Sequence, residues 1–282
     1  MSKVAIVTDS TAYLPEELLQ KHHIIVTPQI LIWGEENYED GVDILPKEFY
    51  TRLKTAKIMP SSSQVTPKYF HKVFNELLQQ DHQILAILIS EKLSGTIASA
   101  VQAREFFPGA PIEIVDSYST SMAMGFQILT VARAADQGAD LKECKALAER
   151  TRQHTGVVFA VDTLEFLHRG GRIGGGSRFL GTALNIKPIL ELVDGRVEAI
   201  ERVRTRKKSL HRLVELVEER IGEREPVRLG ALHANAEEDA KEVLELAQSR
   251  INHVESLLAE VSPVVGTHAG PGTVGLSFIA GI

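Results

Sequence analysis

The chain has 282 residues, 44% hydrophobic and 24% charged, with a formal net charge of -6. That length allows one large α/β unit or two domains with a packed core, and the acidic balance argues against nucleic acid as the main partner. The single cysteine, Cys144, excludes an internal disulfide and suits a reducing compartment; MSKVAIVTDST enters a strand with no signal-peptide stretch, and no apolar run is long enough to span a membrane, so the expectation is a cytoplasmic protein.

Lys3–Thr8 reads as a short buried strand leaving through Asp9-Ser10-Thr11. Pro15 followed by Glu16 and Glu17 opens a short helix, because proline suits the first turn and acids suit its positive end. Ile24–Trp33 is extended, residues 37–43 are irregular, and Pro46–Thr55 is a further short helix. Residues 57–64 read as a loop with three serines after Pro60. Thr66 and Pro67 start a helix that runs to about Gln80, as cap and first helical residue.

Ile84–Ile89, six apolar residues in a row, fits a strand buried on both faces, and the alanine-rich segment to Ala100 fits a helix packed back on it. Between them Ser94-Gly95-Thr96 directs hydroxyls and free backbone N–H groups at one spot favourable to an anion, unless Ser94 only caps the helix. Ile112–Val115 is the next strand, leaving through Asp116-Ser117-Tyr118-Ser119-Thr120-Ser121, and two helices follow, Met122–Gln137 and Leu141–His154, the second capped by Asp140 and carrying Cys144. Alternating strand and helix predicts a doubly wound parallel sheet whose ligands sit beyond the carboxyl ends of the strands. The exits at Asp9-Ser10-Thr11, Ser94-Gly95-Thr96 and Asp116-Ser117 put hydroxyls on that rim, within reach of Ser61–Ser63.

After Gly156 the pattern changes. Val157–Val161 is a strand, Thr163–His168 a short helix, and RGGRIGGGS from Arg169 to Ser177 a glycine loop. Ile189–Val193 and Arg196–Ile200 form a hairpin about Asp194-Gly195. An antiparallel pair inside a parallel sheet would be unusual, so a boundary near residue 155 divides the chain into 1–155, an α/β domain, and 156–282, a second α/β domain with a mixed sheet. Arg204–Ile221 is an amphipathic helix, Val227–His233 a strand, Ala236–Ile251 a helix, Val254–Leu258 a strand, and HAGPGTVGLSFIAG a glycine-rich tail.

Gly270 to Gly275 matches G-x-G-x-x-G, but seven residues follow it, too few for the helix, second strand and ribose-binding acid of a dinucleotide fold. These glycines instead permit a tight backbone that presents His268. Gly170–Gly176 lacks the lysine of a phosphate loop and reads as a loop exposing Arg169, Arg172 and Arg178. A serine esterase or thioesterase using Ser94 is the alternative, with His268 in the right chain order; the elbow glycines are missing, since Lys92 and Thr96 stand at those positions, and no triad acid can be assigned. His22-His23, Asp9 and Asp116 have no metal-ligand spacing. The basic run Arg202, Arg204, Arg206, Lys207 and Lys208 fits a solvated helix start, docking to an acidic protein surface or, last given the net charge, nucleic-acid binding.

VTDST, PSSSQ at 60–64, KLSGT at 92–96, LHRGGRI…IKPIL from 167 to 190 and GTHAGPG at 266–272 together resemble the DegV family, the fatty-acid-binding subunits of bacterial fatty acid kinase. The resemblance implies two α/β domains enclosing a long-chain fatty acid, its tail in an apolar tunnel between or beneath them, with no other cofactor. Carried over by position, the carboxylate binders are Ser62, Ser94 and His268, with Ser63, Gly95 and Thr96 as secondary candidates; Ser62 stands where the family often has threonine, so Ser61 or Ser63 could substitute. It also implies a separate, ATP-dependent kinase subunit that phosphorylates the carboxylate and feeds phospholipid synthesis. Arg172, of the G-G-R-I motif, is similar to a residue that meets that kinase, and Arg204 and Arg206 are further docking candidates. The expected protein is thus non-catalytic, with no nucleic-acid partner and transient contact with membranes.

Overall fold

A computed structural model describes residues 3–179 and 186–282. In chain order the first half comprises β1 (Val4–Asp9), α1 (Glu16–Lys21), β2 (Ile25–Thr27), β3 (Ile30–Trp33), β4 (Glu36–Glu39), α2 (Pro46–Leu53), β5 (Ser61–Ser63), α3 (Pro67–Leu78), β6 (Gln83–Leu88), α4 (Thr96–Arg104), β7 (Ile112–Asp116), α5 (Ser121–Asp136) and α6 (Leu141–Thr151). The second comprises β8 (Thr155–Ala160), α7 (Glu165–Arg169), a 3-10 turn at Gly174–Phe179, β9 (Lys187–Val193), β10 (Arg196–Val203), α8 (Arg206–Ile221), β11 (Val227–His233), α9 (Glu237–Arg250), β12 (Glu255–Glu260), α10 (Pro263–Ala269) and β13 (Val274–Ala280).

The unbroken apolar run is β6, an inner strand of a wholly parallel sheet ordered β2-β1-β6-β7. Both its faces are covered, as such a run requires. Phe70, Phe74, Ala100 and Ala103 of α3 and α4 pack on Val7, Ala86 and Leu88, while Met122, Phe126 and Leu129 of α5 pack on Ile6, Leu85 and Ile87. The order reverses between β1 and β6, which makes the gap beyond their carboxyl ends the switch point of the sheet.

The second large sheet is mixed, ordered β10-β9-β8-β13-β11-β12, with β11 and β12 as its parallel pair. The β9–β10 hairpin turns at Asp194-Gly195, both at positive φ (48° and 79°), and the Gly195 carbonyl accepts a hydrogen bond from Ser90 Oγ at 3.0 Å, tying this sheet to the exit of β6. The glycine-rich tail is not a tail: it completes the end of α10 and then forms β13, an inner strand. Its alternation is hidden because Gly275 and Ser277 replace bulky residues. A Cβ at Gly275 would lie 2.9 Å from Leu232 Cδ1, and Ser277 Oγ donates to Gly230 O at 2.8 Å.

The third sheet, β4-β3-β5, is small and antiparallel. Residues 37–43 were expected to be irregular and 57–64 a loop, because β4 is polar and β5 is three serines of low strand propensity. Pairing with the apolar β3 makes them strands and sets Ser62 opposite Leu31. α5 lies between the two large sheets, and its residues Met122 and Phe126 also approach Gly230 of β11.

Candidate functional site

The site begins with two residues 206 apart in the chain. β5 carries Ser62, and the last turn of α10 carries His268, so that Ser62 Oγ and His268 Nε2 meet at 2.6 Å. α7 ends against the other edge of the ring: a Cβ at Gly170 would collide with His268 Nδ1, so glycine is what lets the chain pass. Arg172 follows, its Nε donating to Leu93 O at 2.9 Å and its Nη1 to Gly170 O at 2.7 Å. Burial, reinforced by the Arg172 charge, pushes the His268 pKa down to about 4. The imidazole is therefore neutral near pH 7, and its buried Nδ1 has no partner among the described residues.

Ser94 approaches from the exit of β6. It does not cap α4, whose N-cap is Gly95 with no side-chain bond; Ser94 Oγ instead lies 2.9 Å from Thr96 Oγ1. Thr96 Oγ1 also accepts from Gln29 Nε2 at 2.8 Å, and the Gln29 N–H donates to Ser10 Oγ at 3.1 Å. A Cβ at Gly95 would come within 3.1 Å of the Gln64 side chain, which packs there.

Asp9 and Thr11 were expected on the ligand rim. They are fully buried beneath it. Asp9 accepts from the Thr11 hydroxyl at 2.7 Å and, across the switch point, from the Ile89 N–H at 2.8 Å, and burial raises its pKa despite these bonds. Asp40 accepts from Ser10 Oγ at 2.6 Å and from the Val264 N–H at 3.1 Å; burial pushes its pKa up to about 6. The first exit thus clamps β6, α10 and the β2–β3 link together. Asp116 accepts from the Tyr118 N–H of its own loop and from the Glu91 N–H at the exit of β6.

Ser62, Ser63, Ser94, Arg172 and His268 line one cavity with about 870 Å3 of atom-free space, its open mouth included. The remaining wall is mostly aliphatic and aromatic, with Val157, Phe159, Leu192, Leu232, Val261 and Val264 among its members. Ser62, Arg172 and His268 also face an outer cleft walled by Met59, Pro60, Phe166 and Arg169. Thr96 and Gly95 stand behind Ser94 rather than on the cavity wall. Arg204 and Arg206 join neither the cavity nor the cleft: Arg204 is exposed, and Arg206 Nε donates to Asp239 at 2.8 Å.

Sequence reasoning missed Tyr13, Gln29, Thr120 and Ser121. Thr120 and Ser121 belong to a hydroxyl run visible in the sequence, but its later members, not Asp116-Ser117, reach the cavity. Nothing local marks Tyr13 or Gln29, which are brought in by tertiary packing.

The chemistry of this mouth suits an anion, since hydroxyls and a guanidinium provide charge-assisted hydrogen bonds to it. It does not set up Ser94 as a nucleophile. His268 is paired with Ser62 rather than Ser94, no acid orients Nδ1, and the adjacent Arg172 disfavours the imidazolium that a general base must become. Among the described residues no group of three His, Cys, Asp or Glu is placed to hold a metal.

Fold and cavity define a class: an α/β chain with a parallel and a mixed sheet, enclosing an apolar cavity with a polar mouth. The chain belongs to the DegV family, whose sequence profile, described as an uncharacterised protein of the DegV family, matches residues 3–281. It is 34% identical over 281 residues to a DegV domain-containing protein of Caldanaerobacter subterraneus, covering 99% of each chain. Its fold is similar to that of a fatty-acid-binding DegV family protein from Thermus thermophilus, at TM-score 0.94 and 35% identity with 99% of each chain covered. It is also similar to DegV, a fatty acid binding protein from Bacillus subtilis, at TM-score 0.88 and 30% identity, covering 99% of this chain and 100% of that one.

Proposed function

We propose that this protein binds a long-chain fatty acid, tail in the apolar cavity and carboxylate at the mouth, and presents the carboxylate to a separate ATP-dependent kinase. The observation that carries the reading is the Ser62–His268 pair, 2.6 Å apart and beside Arg172, set where an apolar cavity meets an outer cleft. Relatives described as fatty-acid-binding support the ligand class. Each methylene withdrawn from water contributes about 0.8 kcal/mol, so the tail supplies affinity. The hydroxyls of Ser62 and Ser94, with His268, fix the head group, and Thr96, held by Gln29, orients Ser94.

The protein itself transfers nothing. The kinase moves a phosphoryl group from ATP to the carboxylate, and the acyl phosphate feeds phospholipid synthesis. Arg172, shared by cavity and cleft, is the contact assigned to the kinase. The apolar residues Ile58 and Met59 at the lip, exposed by 63% and 38%, suit contact with a partner or a membrane. The two large sheets correspond to two domains meeting near residue 155, and the carrier works in the cytoplasm.

Reconstitution tests this. Fatty acid, ATP and the kinase should yield acyl phosphate, trapped as hydroxamate, only when this protein is added. Equal turnover without it, or hydrolysis of acyl esters by this protein alone, would overturn the reading.

A further inference from the structure

α5 is buried from Ser121 to Leu129, so its first turn opens on the cavity between the two sheets rather than on solvent. Thr120 and Ser121 line that cavity, and so does Tyr13. The hydroxyls of Thr120 and Ser121 are buried with no hydrogen-bond partner among the described residues, and the buried Tyr13 hydroxyl lies beside Ser262. Ser121 is only 4% exposed, which leaves its hydroxyl no access to bulk water. Thr120 makes no side-chain cap and the first turn holds no acid. The N–H groups of that turn, which no carbonyl within the helix can reach, therefore bring a positive end to the same place.

Two of the three residues are also held in the left-handed region, Ser121 at φ 59° and Tyr13 at φ 55°. That conformation is unfavourable for non-glycine residues and persists where surrounding structure enforces it, which is often at a ligand site. The neighbouring wall is apolar, with Val157, Leu232 and Val261. A plain hydrocarbon chain lying here would leave the Thr120 and Ser121 hydroxyls unsatisfied, which buried polar groups rarely are.

We infer that Tyr13, Thr120 and Ser121 form a second polar subsite inside the cavity, which takes a hydroxyl or oxo group borne on an acyl chain. A ligand hydroxyl can donate to one of these oxygens and accept from another. The end of α5 favours the acceptor. This subsite rests on the fatty-acid reading of the cavity, and the test separates the two.

Delipidated protein is titrated calorimetrically with octadecanoic acid and with a positional series of hydroxyoctadecanoic acids. One isomer should bind the wild-type protein at least as tightly as octadecanoic acid, while isomers that set the hydroxyl against the apolar wall bind ~10-fold or more weakly. Ser121→Gly, which a positive φ tolerates, and Thr120→Val should each lower the affinity ratio of the favoured isomer to octadecanoic acid by ~5- to 10-fold. If every isomer binds at least tenfold more weakly than the plain acid, or if the ratio is the same in both variants, the subsite is overturned and the fatty-acid reading stands. If octadecanoic acid itself does not bind, both fall.

Discussion

At the mouth of the cavity, Ser62, Ser94, Arg172 and His268 are drawn from four separate stretches of chain and held by specific bonds, such as Arg172 to Leu93 O and Ser94 to Thr96. In its body, Val157, Phe159 and Leu232 of the mixed sheet and Val261 just after β12 do two jobs at once, packing in the core and facing the cavity. The contrast separates the sources of affinity and orientation. Apolar burial is non-directional and grows with area, whereas a charge-assisted hydrogen bond depends on where its donor points. Damage to the body should therefore abolish binding, and damage to the mouth should leave a bound but badly placed acid.

The largest effect is expected from filling the body. Val157→Trp, with Val261→Phe as an independent second variant, should weaken fatty acid binding by at least ~100-fold, since excluding even four methylenes forfeits about 3 kcal/mol. Titration calorimetry on variants with unchanged circular dichroism checks this; near-wild-type affinity would mean that the tail lies elsewhere. Ser94→Ala should cost about 1–3 kcal/mol of binding free energy if the carboxylate loses a donor, and should lower acyl phosphate yield at saturating ligand. Unchanged affinity and yield would remove Ser94 from the head-group site. Gly170→Ala should act through His268, whose ring must move to admit the Cβ, and weaken binding by roughly 3- to 10-fold; the His268 ring resonances should shift with it.

A further effect is on stability. The folded pKa of His268 is about 4, below the usual ~6.5 of an unfolded chain, so between these values the unfolded state binds the extra proton and stability falls as pH drops. Asp40, raised to about 6, acts in the opposite sense, because the folded state takes up its proton first and gains stability as pH falls below 6. Comparing His268→Gln with wild type isolates the first term: the variant should gain on the ligand-free wild type by roughly 2–3 kcal/mol between pH 6.5 and 4. Parallel denaturation curves across that range would contradict a neutral, buried His268.

The same contrast governs what could be read from the sequence. The polar mouth was legible because hydroxyls at strand exits and a glycine-flanked histidine stand out from their surroundings: Ser62, Ser94, Arg172 and His268 were all named and lie on one cavity wall. The Asp9-Ser10-Thr11 exit was legible as a feature but not in its use, since its polar groups are consumed in the clamp below the site. The body was not legible at all, because a valine facing a cavity and a valine facing a helix obey the same pattern. β5 and β13 were hidden by serine and glycine, which stand there for reasons of pairing and close approach that only the neighbouring strands reveal. The parallel order of the first sheet followed from strand–helix alternation, and the hairpin from Asp194-Gly195.

The most direct test of the account is organic extraction of the purified protein followed by mass spectrometry. A cavity built to hold an acyl chain should release long-chain fatty acid in near-equal molar amount, or, if stripped, take up added fatty acid to that ratio. A protein that emerges empty and ignores added fatty acid would contradict it.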